Sequence, residues 1–380
     1  MKAATENNMK VLFLNGKIFT GQRWWREASV LVDDKVIKKV SMSISEKDAE
    51  EIDLEGDLLV PGFIDLQLYG GLGKLFGEHP TIDALKATYE YCLRGGALHF
   101  MPTAATNSMD VMLRAIEAVK CYQEQQLPGV LGLHLEGPYI NASKKGAHIE
   151  QFIKKPTIDE VKELVEKGKG VIKMITLAPE VCDKEIIKYL LAEGIFVSAG
   201  HSNATYQQAW DAFEGGVPLA THLYNAMSPL QHRAPGMVGA VLNHSKVMSS
   251  LVADGHHVDF PAINVAKKIM GERLFLITDA VTENKEGFYQ HRLDGDKYVV
   301  ADGTLSGSAL TMMKAVKNCV DNVGISLEEA LRMASLYPAR AIHLDKKLGK
   351  IEARSAAELL WLNDDLEIKA AFTNGSLIRF

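Results

Sequence analysis

The sequence predicts an α/β protein, a (β/α)8 barrel of the TIM type with a small β-sandwich domain formed by both chain ends. In the middle of the chain, apolar strand-like segments alternate with amphipathic helical segments, which is the pattern of parallel β/α units. At both ends, short β-like segments and turn dipeptides follow one another. Several central strands also end on a carboxylate or an imidazole, and a barrel would gather these groups at one mouth.

The central strands are predicted near residues 60–69, 97–106, 130–136, 171–178, 195–201, 219–224, 248–254 and 274–279. Helical segments lie between them, for example over residues 158–166, 184–192 and 206–213. Strands that alternate with helices pair in parallel. A doubly wound open sheet is the alternative, but it would not bring together the ends of strands so far apart in the chain.

The two chain ends are predicted to pair with each other. Residues 11–14 precede the turn Asn15-Gly16, and residues 368–373 precede a second Asn-Gly turn at 374–375. We therefore predict that residues 1–60 together with 344–380 form the small β-sandwich domain, and that residues 61–343 form the barrel.

Composition limits the classes of protein that fit. The chain has 380 residues, 47% of them hydrophobic and 24% charged, which is ordinary for a globular protein. A net charge of −6 argues against a nucleic-acid partner. We find no apolar run long enough to cross a membrane, no signal-peptide core and no CxxC pair among the four cysteines, so we expect a cytoplasmic protein. Met9 is an alternative start to Met1.

The segment Leu133–Pro138 is the most informative part of the chain, because an apolar strand there ends on Glu136. A desolvated carboxylate must be paired or bound to a metal. Two later strands end on His201 and His222, and another ends on Asp279. On a barrel these four side chains converge on the mouth at the C-terminal ends of the strands.

Together these residues predict a catalytic metal site. One histidine after a strand is more often a hydrogen-bonded turn residue than a ligand, but Glu136, His201 and His222 form a known catalytic zinc set with one open position. We expect one divalent metal, with zinc as the first choice and iron, cobalt or manganese as alternatives. Asp279 is either a helix N-cap or the general acid/base that moves a proton from water to the leaving group; the barrel favours the second role.

Other polar residues follow the later strands. Arg233 lies in a Gly/Pro loop, either as a solvated charge or as a clamp for a phosphate or carboxylate. His256 and His257 end the seventh strand, and one of them could donate to an anion. His148, in the loop after the third strand, could polarise a carbonyl. No role is assigned to His134, which shares a strand face with Glu136.

Nine motifs occur in order along nearly the whole chain: PGFID (61–65), GLHLEGP (132–138), LAPE (177–180), SAGHSNA (198–204), THLYNAM (221–227), ADG (253–255), TDA (278–280), GTLSGS (303–308) and LYPARA (336–341). In this combination the chain resembles the N-acetylglucosamine-6-phosphate deacetylases of the amidohydrolase superfamily. The resemblance implies a barrel with a β-sandwich built from both termini. It also implies metal ligation by Glu136, His201 and His222, and acid/base catalysis by Asp279.

The resemblance also implies a substrate and its contacts. The reaction would release acetate from N-acetyl-D-glucosamine 6-phosphate and leave glucosamine 6-phosphate, as a step of amino-sugar breakdown. The residues implied to hold the phosphosugar are Asn225, Ala226, Arg233 and His257. Those implied to line the sugar and acetamide pocket are Ala147, His148, Leu305, Ser306 and Gly307. The family implies a homodimer in which Arg233 reaches into the neighbouring subunit's site.

One stretch departs from the superfamily pattern. Many relatives carry His-x-His after the first strand, as ligands of a more buried metal, whereas this chain has Gln67 and Tyr69. Neither side chain replaces an imidazole as a transition-metal ligand, so we predict one metal per subunit. The alternatives are another amidohydrolase that acts on an N-acyl amino acid or a cyclic amide, and a non-catalytic barrel scaffold, against which the complete ligand set argues.

Overall fold

The structure, a computed structural model, describes residues 10–380. The choice between Met1 and Met9 as the start lies outside the described residues. The strands before the barrel are β1 (Lys10–Phe19), β2 (Trp24–Asp33), β3 (Val36–Ser41), β4 (Glu50–Asp53) and β5 (Leu58–Pro61). The next are β6 (Phe63–Leu68), β7 (Gly70–Gly71), β8 (Lys74–Leu75), β9 (Ala97–Ala105), β10 (Leu133–Glu136), β11 (Ile172–Leu177), β12 (Phe196–Ala199), β13 (Leu219–Ala220), β14 (Met248–Val252) and β15 (Leu274–Ile277). The last are β16 (Arg292–Asp294), β17 (Lys297–Val299), β18 (Leu305–Ser308), β19 (Leu359–Leu362), β20 (Ile368–Thr373) and β21 (Ser376–Arg379).

The α-helices are α1 (Ile82–Arg94), α2 (Met109–Glu124), α3 (Ile158–Lys167), α4 (Lys184–Ala192), α5 (Tyr206–Glu214), α6 (Gly236–Asn243), α7 (Phe260–Met270), α8 (Met312–Asn318), α9 (Leu327–Ala334) and α10 (Leu336–Ala341). Short 3-10 helices occupy Ala142–Lys144, Glu150–Phe152 and Gly271–Arg273, and one π-helical turn occupies Cys319–Val323. Several helices begin at a hydroxyl that accepts from the backbone of the first turn, such as Thr81, Ser108 and Thr157. Within residues 10–380 no helix has the length and apolar character needed to span a bilayer.

The barrel is a parallel sheet of eight strands in the order β6-β9-β10-β11-β12-β13-β14-β15. Leu68, the last residue of β6, forms a parallel bridge with Ala280 just after β15, and the Tyr69 amide donates to the Ala280 carbonyl at 2.8 Å. These contacts join the first strand to the last. The predicted (β/α)8 barrel is therefore confirmed, and each barrel strand lies within its predicted segment.

The first predicted strand, near 60–69, contains two strands of different sheets. β5 belongs to the terminal sheet and β6 to the barrel, with Gly62 between them. Both strands are buried at every residue, so no polar position marks the break. A Cβ at Gly62 would lie 2.5 Å from Leu98 Cδ1, and this close approach requires glycine there.

The two chain ends form one mixed sheet in the order β21-β20-β19-β5-β1-β2-β3, with β4 paired to β1. Its residues enclose a second core, separate from that of the barrel. Phe13 from the start of the chain packs edge-to-face on Phe372 from its end, with ring centroids 5.7 Å apart. Pairing of the ends thus buries apolar surface from both. The domain bounds of 1–60 with 344–380 and of 61–343 stay a proposal.

A three-stranded sheet of β16, β17 and β18 interrupts the chain after β15. We call residues 282–308 the flap. Glu78 fixes the flap because its Oε1 accepts from the amides of Phe288 and Tyr289 at 2.9 and 2.7 Å. The sequence analysis did not predict this sheet, whose strands have only three or four residues each.

Candidate metal centre and active site

The four predicted strand-end residues meet at the mouth of the barrel. Glu136 is the last residue of β10, while His201, His222 and Asp279 each lie two residues beyond β12, β13 and β15. All four are buried, with at most 8% of any residue exposed. The last three have positive φ angles of 46°, 36° and 54°, a conformation that is uncommon outside glycine and is concentrated at functional sites.

Three of these side chains place one atom each around a common point. Glu136 Oε1 lies 3.2 Å from His201 Nε2 and 3.1 Å from His222 Nε2, and the two Nε2 atoms are 3.0 Å apart. A tetrahedral zinc ion with bonds of about 2.0–2.1 Å has ligands about 3.3 Å from each other. The triangle therefore has nearly the size that three ligands of one small cation require.

The hydrogen bonds of His201 agree with this interpretation. Its Nδ1 lies 2.9 Å from the Lys144 carbonyl and must carry the proton to donate there, which leaves the Nε2 lone pair free for a metal. The His222 backbone amide donates to Ser250 Oγ at 2.7 Å and fixes that loop. The donor set of two imidazoles and one carboxylate suits a borderline cation such as zinc.

His148 also reaches the cluster. Its Nε2 lies 3.2 Å from Glu136 Oε2, and its Nδ1 lies 2.7 Å from Thr106 Oγ1. Glu136, His148 and His201 present ligand atoms that all lie within 4.8 Å of one another. Burial, and then the neighbouring His201, lower the pKa of His148 to about 4, so the ring is neutral near pH 7. A neutral ring at this position can either ligate a cation or donate to a substrate oxygen.

The two carboxylates of the site differ in charge preference. Burial would raise the pKa of Glu136, but the adjacent His201, His148 and His222 hold it well below its ordinary range. Burial raises the pKa of Asp279, against the opposing effect of His257 and His222. A carboxylate with a raised pKa accepts a proton more readily, as a general base must. Glu136 therefore has the character of a ligand and Asp279 that of a base.

Asp279 also has partners that orient it. Gln67 Nε2 donates to its Oδ1 at 2.8 Å, and His257 Nε2 lies 3.6 Å from its Oδ2. The other nitrogen of His257 lies 2.7 Å from Asp254 Oδ2. Just before Asp279, Thr278 donates from both its amide and its hydroxyl to the buried Asp65, whose pKa burial raises to about 7. Asp279 is thus held from β6 on one side and from the loop after β14 on the other.

A cavity of about 160 Å³ opens onto the cluster. Its walls include the following residues named in the sequence analysis: Ala147, His148, His201, His222, Asn225, Ala226, His257, Asp279, Leu305, Ser306 and Gly307. Arg233 is exposed in the loop after β13 and does not line the cavity of its own chain.

The sequence analysis missed part of the cavity wall. The additional lining residues are Leu75, Gly77, Ala105, Gly146, Val281, Tyr289 and His291. Leu75, Ala105, Val281 and Tyr289 form a small apolar cluster of their own. The Tyr289 hydroxyl donates to the Thr106 carbonyl at 2.6 Å, which fixes the flap against β9. These contacts are tertiary, and no local pattern marks them.

Comparison with known proteins places the chain in a family. The family model described as "Amidohydrolase family" matches residues 58–378. The chain belongs to the amidohydrolase family. This amidohydrolase is 35% identical over 381 residues to the N-acetylglucosamine-6-phosphate deacetylase of Haemophilus influenzae, covering 97% of this chain and 99% of that protein. It is 33% identical over 373 residues to the N-acetylgalactosamine-6-phosphate deacetylase of a Shewanella species, covering 95% and 94%.

Solved structures agree with the sequence relatives. The N-acetylglucosamine-6-phosphate deacetylase of Pasteurella multocida superimposes with a TM-score of 0.94 at 36% identity, covering 98% of this amidohydrolase and 100% of that chain. A variant of the Mycobacterium smegmatis enzyme, in complex with N-acetyl-D-glucosamine-6-phosphate, gives 0.90 at 26% identity over 98% and 100%. The family resemblance stated from the motifs is therefore confirmed. Amidohydrolases depend on a metal, and the Glu/His cluster described above could bind one.

Proposed function

We propose that this amidohydrolase removes the acetyl group from N-acetyl-D-glucosamine 6-phosphate, giving glucosamine 6-phosphate and acetate. One observation carries the proposal: the triangle of Glu136, His201 and His222 opens, beside Asp279, onto a cavity of about 160 Å³. Full-length similarity to deacetylases of this sugar phosphate supports it. Such chemistry belongs to amino-sugar breakdown, for which a cytoplasmic location is expected.

A second candidate substrate is the C4 epimer, N-acetylgalactosamine 6-phosphate. Deacetylases of that sugar from a Shewanella species and from Escherichia coli O157:H7 are 33% and 32% identical to this chain, close to the 35% found for the glucosamine enzyme. The metal cluster and Asp279 would serve both epimers equally, because the acetamide is the same.

We propose that Glu136, His201 and His222 hold one divalent metal ion, with zinc as the first choice. When bound, such an ion acts as a Lewis acid that polarises the amide carbonyl and makes a nearby water more acidic. Asp279 takes a proton from the attacking water at Oδ2, since Oδ1 already accepts from Gln67. The same oxygen then gives the proton to the amine nitrogen as the C–N bond breaks.

His148 is proposed to hold the carbonyl oxygen as negative charge develops there. Thr106 donates from its amide to His148 Nδ1 at 3.3 Å, and we propose that the ring proton lies on Nε2, the atom that faces the cluster. His148 Nε2 faces Glu136 Oε2 at 3.2 Å. A substrate carbonyl oxygen that replaced Glu136 Oε2 as the acceptor would receive this hydrogen bond from His148 Nε2.

The sugar phosphate is proposed to contact Asn225, Ala226 and His257, with Ala147 and Leu305–Gly307 along the sugar and acetamide. These residues line the cavity, but the cavity wall of one chain carries no arginine or lysine within the described residues. We propose a homodimer in which the exposed Arg233 enters the neighbouring subunit's cavity and binds the phosphate.

We expect Arg233→Ala to raise KM for N-acetylglucosamine 6-phosphate by at least tenfold and to leave activity on unphosphorylated N-acetylglucosamine unchanged. The reason is that a charge-assisted hydrogen bond to phosphate is worth about 1.5–3 kcal/mol. Arg114→Ala, which removes another exposed arginine that pairs only with Asp110, is the matched control. Equal losses on both sugars would contradict the phosphate assignment.

The proposed function is tested by acetate release from the two sugar phosphates, with protein as purified, after chelation, and after Zn²⁺ is added back. Activity that is lost and then restored supports the reaction and the metal together. Acetate release from N-acetylgalactosamine 6-phosphate alone would show that this epimer, and not the glucosamine sugar, is the substrate. No release from either sugar, with about one metal per chain, would contradict the function and direct attention to N-acyl amino acids and cyclic amides.

A further inference from the structure

Tyr69 occupies a position at the metal cluster that the proposed mechanism does not use. The residue follows β6 directly, and its backbone is fixed on both sides: its amide donates to the Ala280 carbonyl at 2.8 Å, and its carbonyl accepts from the Phe76 amide at 2.7 Å. The half-buried ring packs on the apolar cluster that includes Leu75 and Ala105. The side chain is therefore held in one place, with its hydroxyl inside the barrel mouth.

The hydroxyl of Tyr69 lies between the two carboxylates of the site. It donates to Glu136 Oε2 and lies 3.2 Å from Asp279 Oδ1. Gln67 Nε2 lies 2.8 Å from the Tyr69 oxygen, 2.9 Å from Glu136 Oε1 and 2.8 Å from Asp279 Oδ1, and it shares its two protons among these three acceptors. A phenol has one proton, so once Tyr69 donates to Glu136, the donor to Asp279 must be Gln67.

The two oxygens of Glu136 consequently have different surroundings. Oε1 faces the Nε2 atoms of His201 and His222, and it is the oxygen of the ligand triangle. Oε2 faces the Tyr69 hydroxyl and His148 Nε2, and a carboxylate oxygen that accepts from both has its lone pairs occupied. Oε1 has Gln67 Nε2 as its amide donor, at 2.9 Å, and therefore keeps a lone pair with which to bind a cation.

We propose that Tyr69 is a positioning residue for this reaction: its hydroxyl holds Glu136 Oε2, presents Oε1 alone to the metal and, through Gln67, fixes the base Asp279 relative to that ligand. The inference rests on the proposed function for its catalytic part, but its metal-binding part needs no substrate. Partners that orient a ligand in this way typically change metal affinity or activity by about 10–100-fold when they are removed.

The test is Tyr69→Phe, which keeps the packed ring and removes only the hydroxyl. Zn²⁺ affinity is measured on chelated protein by competition with a chromophoric chelator. We expect the dissociation constant to rise by about tenfold or more, and kcat to fall while KM stays constant. The visible spectrum of the Co²⁺-loaded variant should differ from that of the Co²⁺-loaded wild type, because the carboxylate is released to bind through both oxygens.

Tyr122→Phe is the matched control, since Tyr122 lies on α2 away from the cavity and its hydroxyl donates a hydrogen bond to the Pro128 carbonyl at 2.9 Å. Zn²⁺ affinity in Tyr69→Phe equal to that of this control would overturn the proposal. If metal-free Tyr69→Phe fails to fold, the Zn²⁺ affinity of Gln67→Met is measured instead. This substitution removes the amide that contacts the Tyr69 hydroxyl and leaves the Tyr69 ring in place. An unchanged Zn²⁺ affinity in that variant would equally overturn it.

The two proposals fail in different ways. If wild-type protein binds Zn²⁺ but releases no acetate, the proposed function is wrong. The role of Tyr69 is then still tested by the Zn²⁺ affinity of Tyr69→Phe, which needs no substrate. When both variants fold, the double variant is expected to weaken Zn²⁺ binding by less than the product of the two single effects, because both side chains act on Glu136.

Discussion

Asp279→Asn is expected to lower kcat about a thousandfold while zinc stays bound at one ion per chain. The amide has the shape of the carboxylate, and its oxygen can still accept the hydrogen bond from Gln67 Nε2. It cannot take a proton from water, however, and general acid–base catalysis contributes about 10²–10⁴-fold. Geometry and metal binding should therefore survive, and proton transfer should not.

The measurement is acetate release at saturating substrate, together with metal content by elemental analysis. Asp296→Asn is the control, because Asp296 is an exposed carboxylate paired with His256 outside the cavity. That variant should retain wild-type turnover. A rate for Asp279→Asn within tenfold of wild type would show that another group is the base, and His257, which lies 3.6 Å from Asp279 Oδ2, would be the next to test.

The strand-end residues could be predicted because the signal is local. Each is a polar side chain that directly follows an apolar run, and a buried polar group there needs a partner. Glu136, His201 and His222 were selected in this way, and the structure brings them within 3.2 Å of each other. Parallel strands bring these residues together, since the C-terminal ends of the strands share one edge of the barrel.

The rest of the cavity could not be predicted because its determinants are tertiary. Tyr289 and His291 come from the flap, where short exposed strands have weak periodicity. The flap is fixed by Glu78, which lies roughly 210 residues earlier in the chain and accepts from two backbone amides of the flap. No sequence pattern predicts a contact between such distant residues. The break between β5 and β6 inside the predicted strand 60–69 was missed for a related reason, since both strands are buried at every residue and a single residue, Gly62, separates them.

Arg233 was named from the sequence, but it lies apart from the other named residues. Its side chain is exposed, and the cavity of its own chain is lined without it. Residue type and family resemblance indicate a phosphate clamp, and we propose that this clamp acts in the cavity of a second copy of the molecule. The comparison of Arg233→Ala on phosphorylated and unphosphorylated sugar tests whether this side chain binds the phosphate.

Glu136→Gln is expected to abolish metal binding at micromolar zinc and, with it, turnover. The substitution removes the only negative charge of the ligand triangle, and the neutral amide oxygen is a far poorer ligand for a divalent cation. It also places an NH2 group where Oε2 accepts from Tyr69 and His148, so that donors would face donors. Because loss of an orienting partner alone costs about 10–100-fold, loss of the ligand itself should weaken Zn²⁺ binding by well over a hundredfold.

Thermal unfolding with and without Zn²⁺ checks this expectation independently of any substrate. A ligand at a hundred times its dissociation constant stabilises the folded state by about 2.7 kcal/mol, so wild-type protein should gain several degrees of melting temperature on zinc addition and Glu136→Gln should gain none. Glu160→Gln, at a carboxylate that pairs with Lys154 and Tyr139 on the barrel surface, should respond as wild type does. A zinc-dependent rise in Glu136→Gln equal to that of Glu160→Gln would mean that the metal is held elsewhere in the chain, and the assignment of the whole triangle would fall with it.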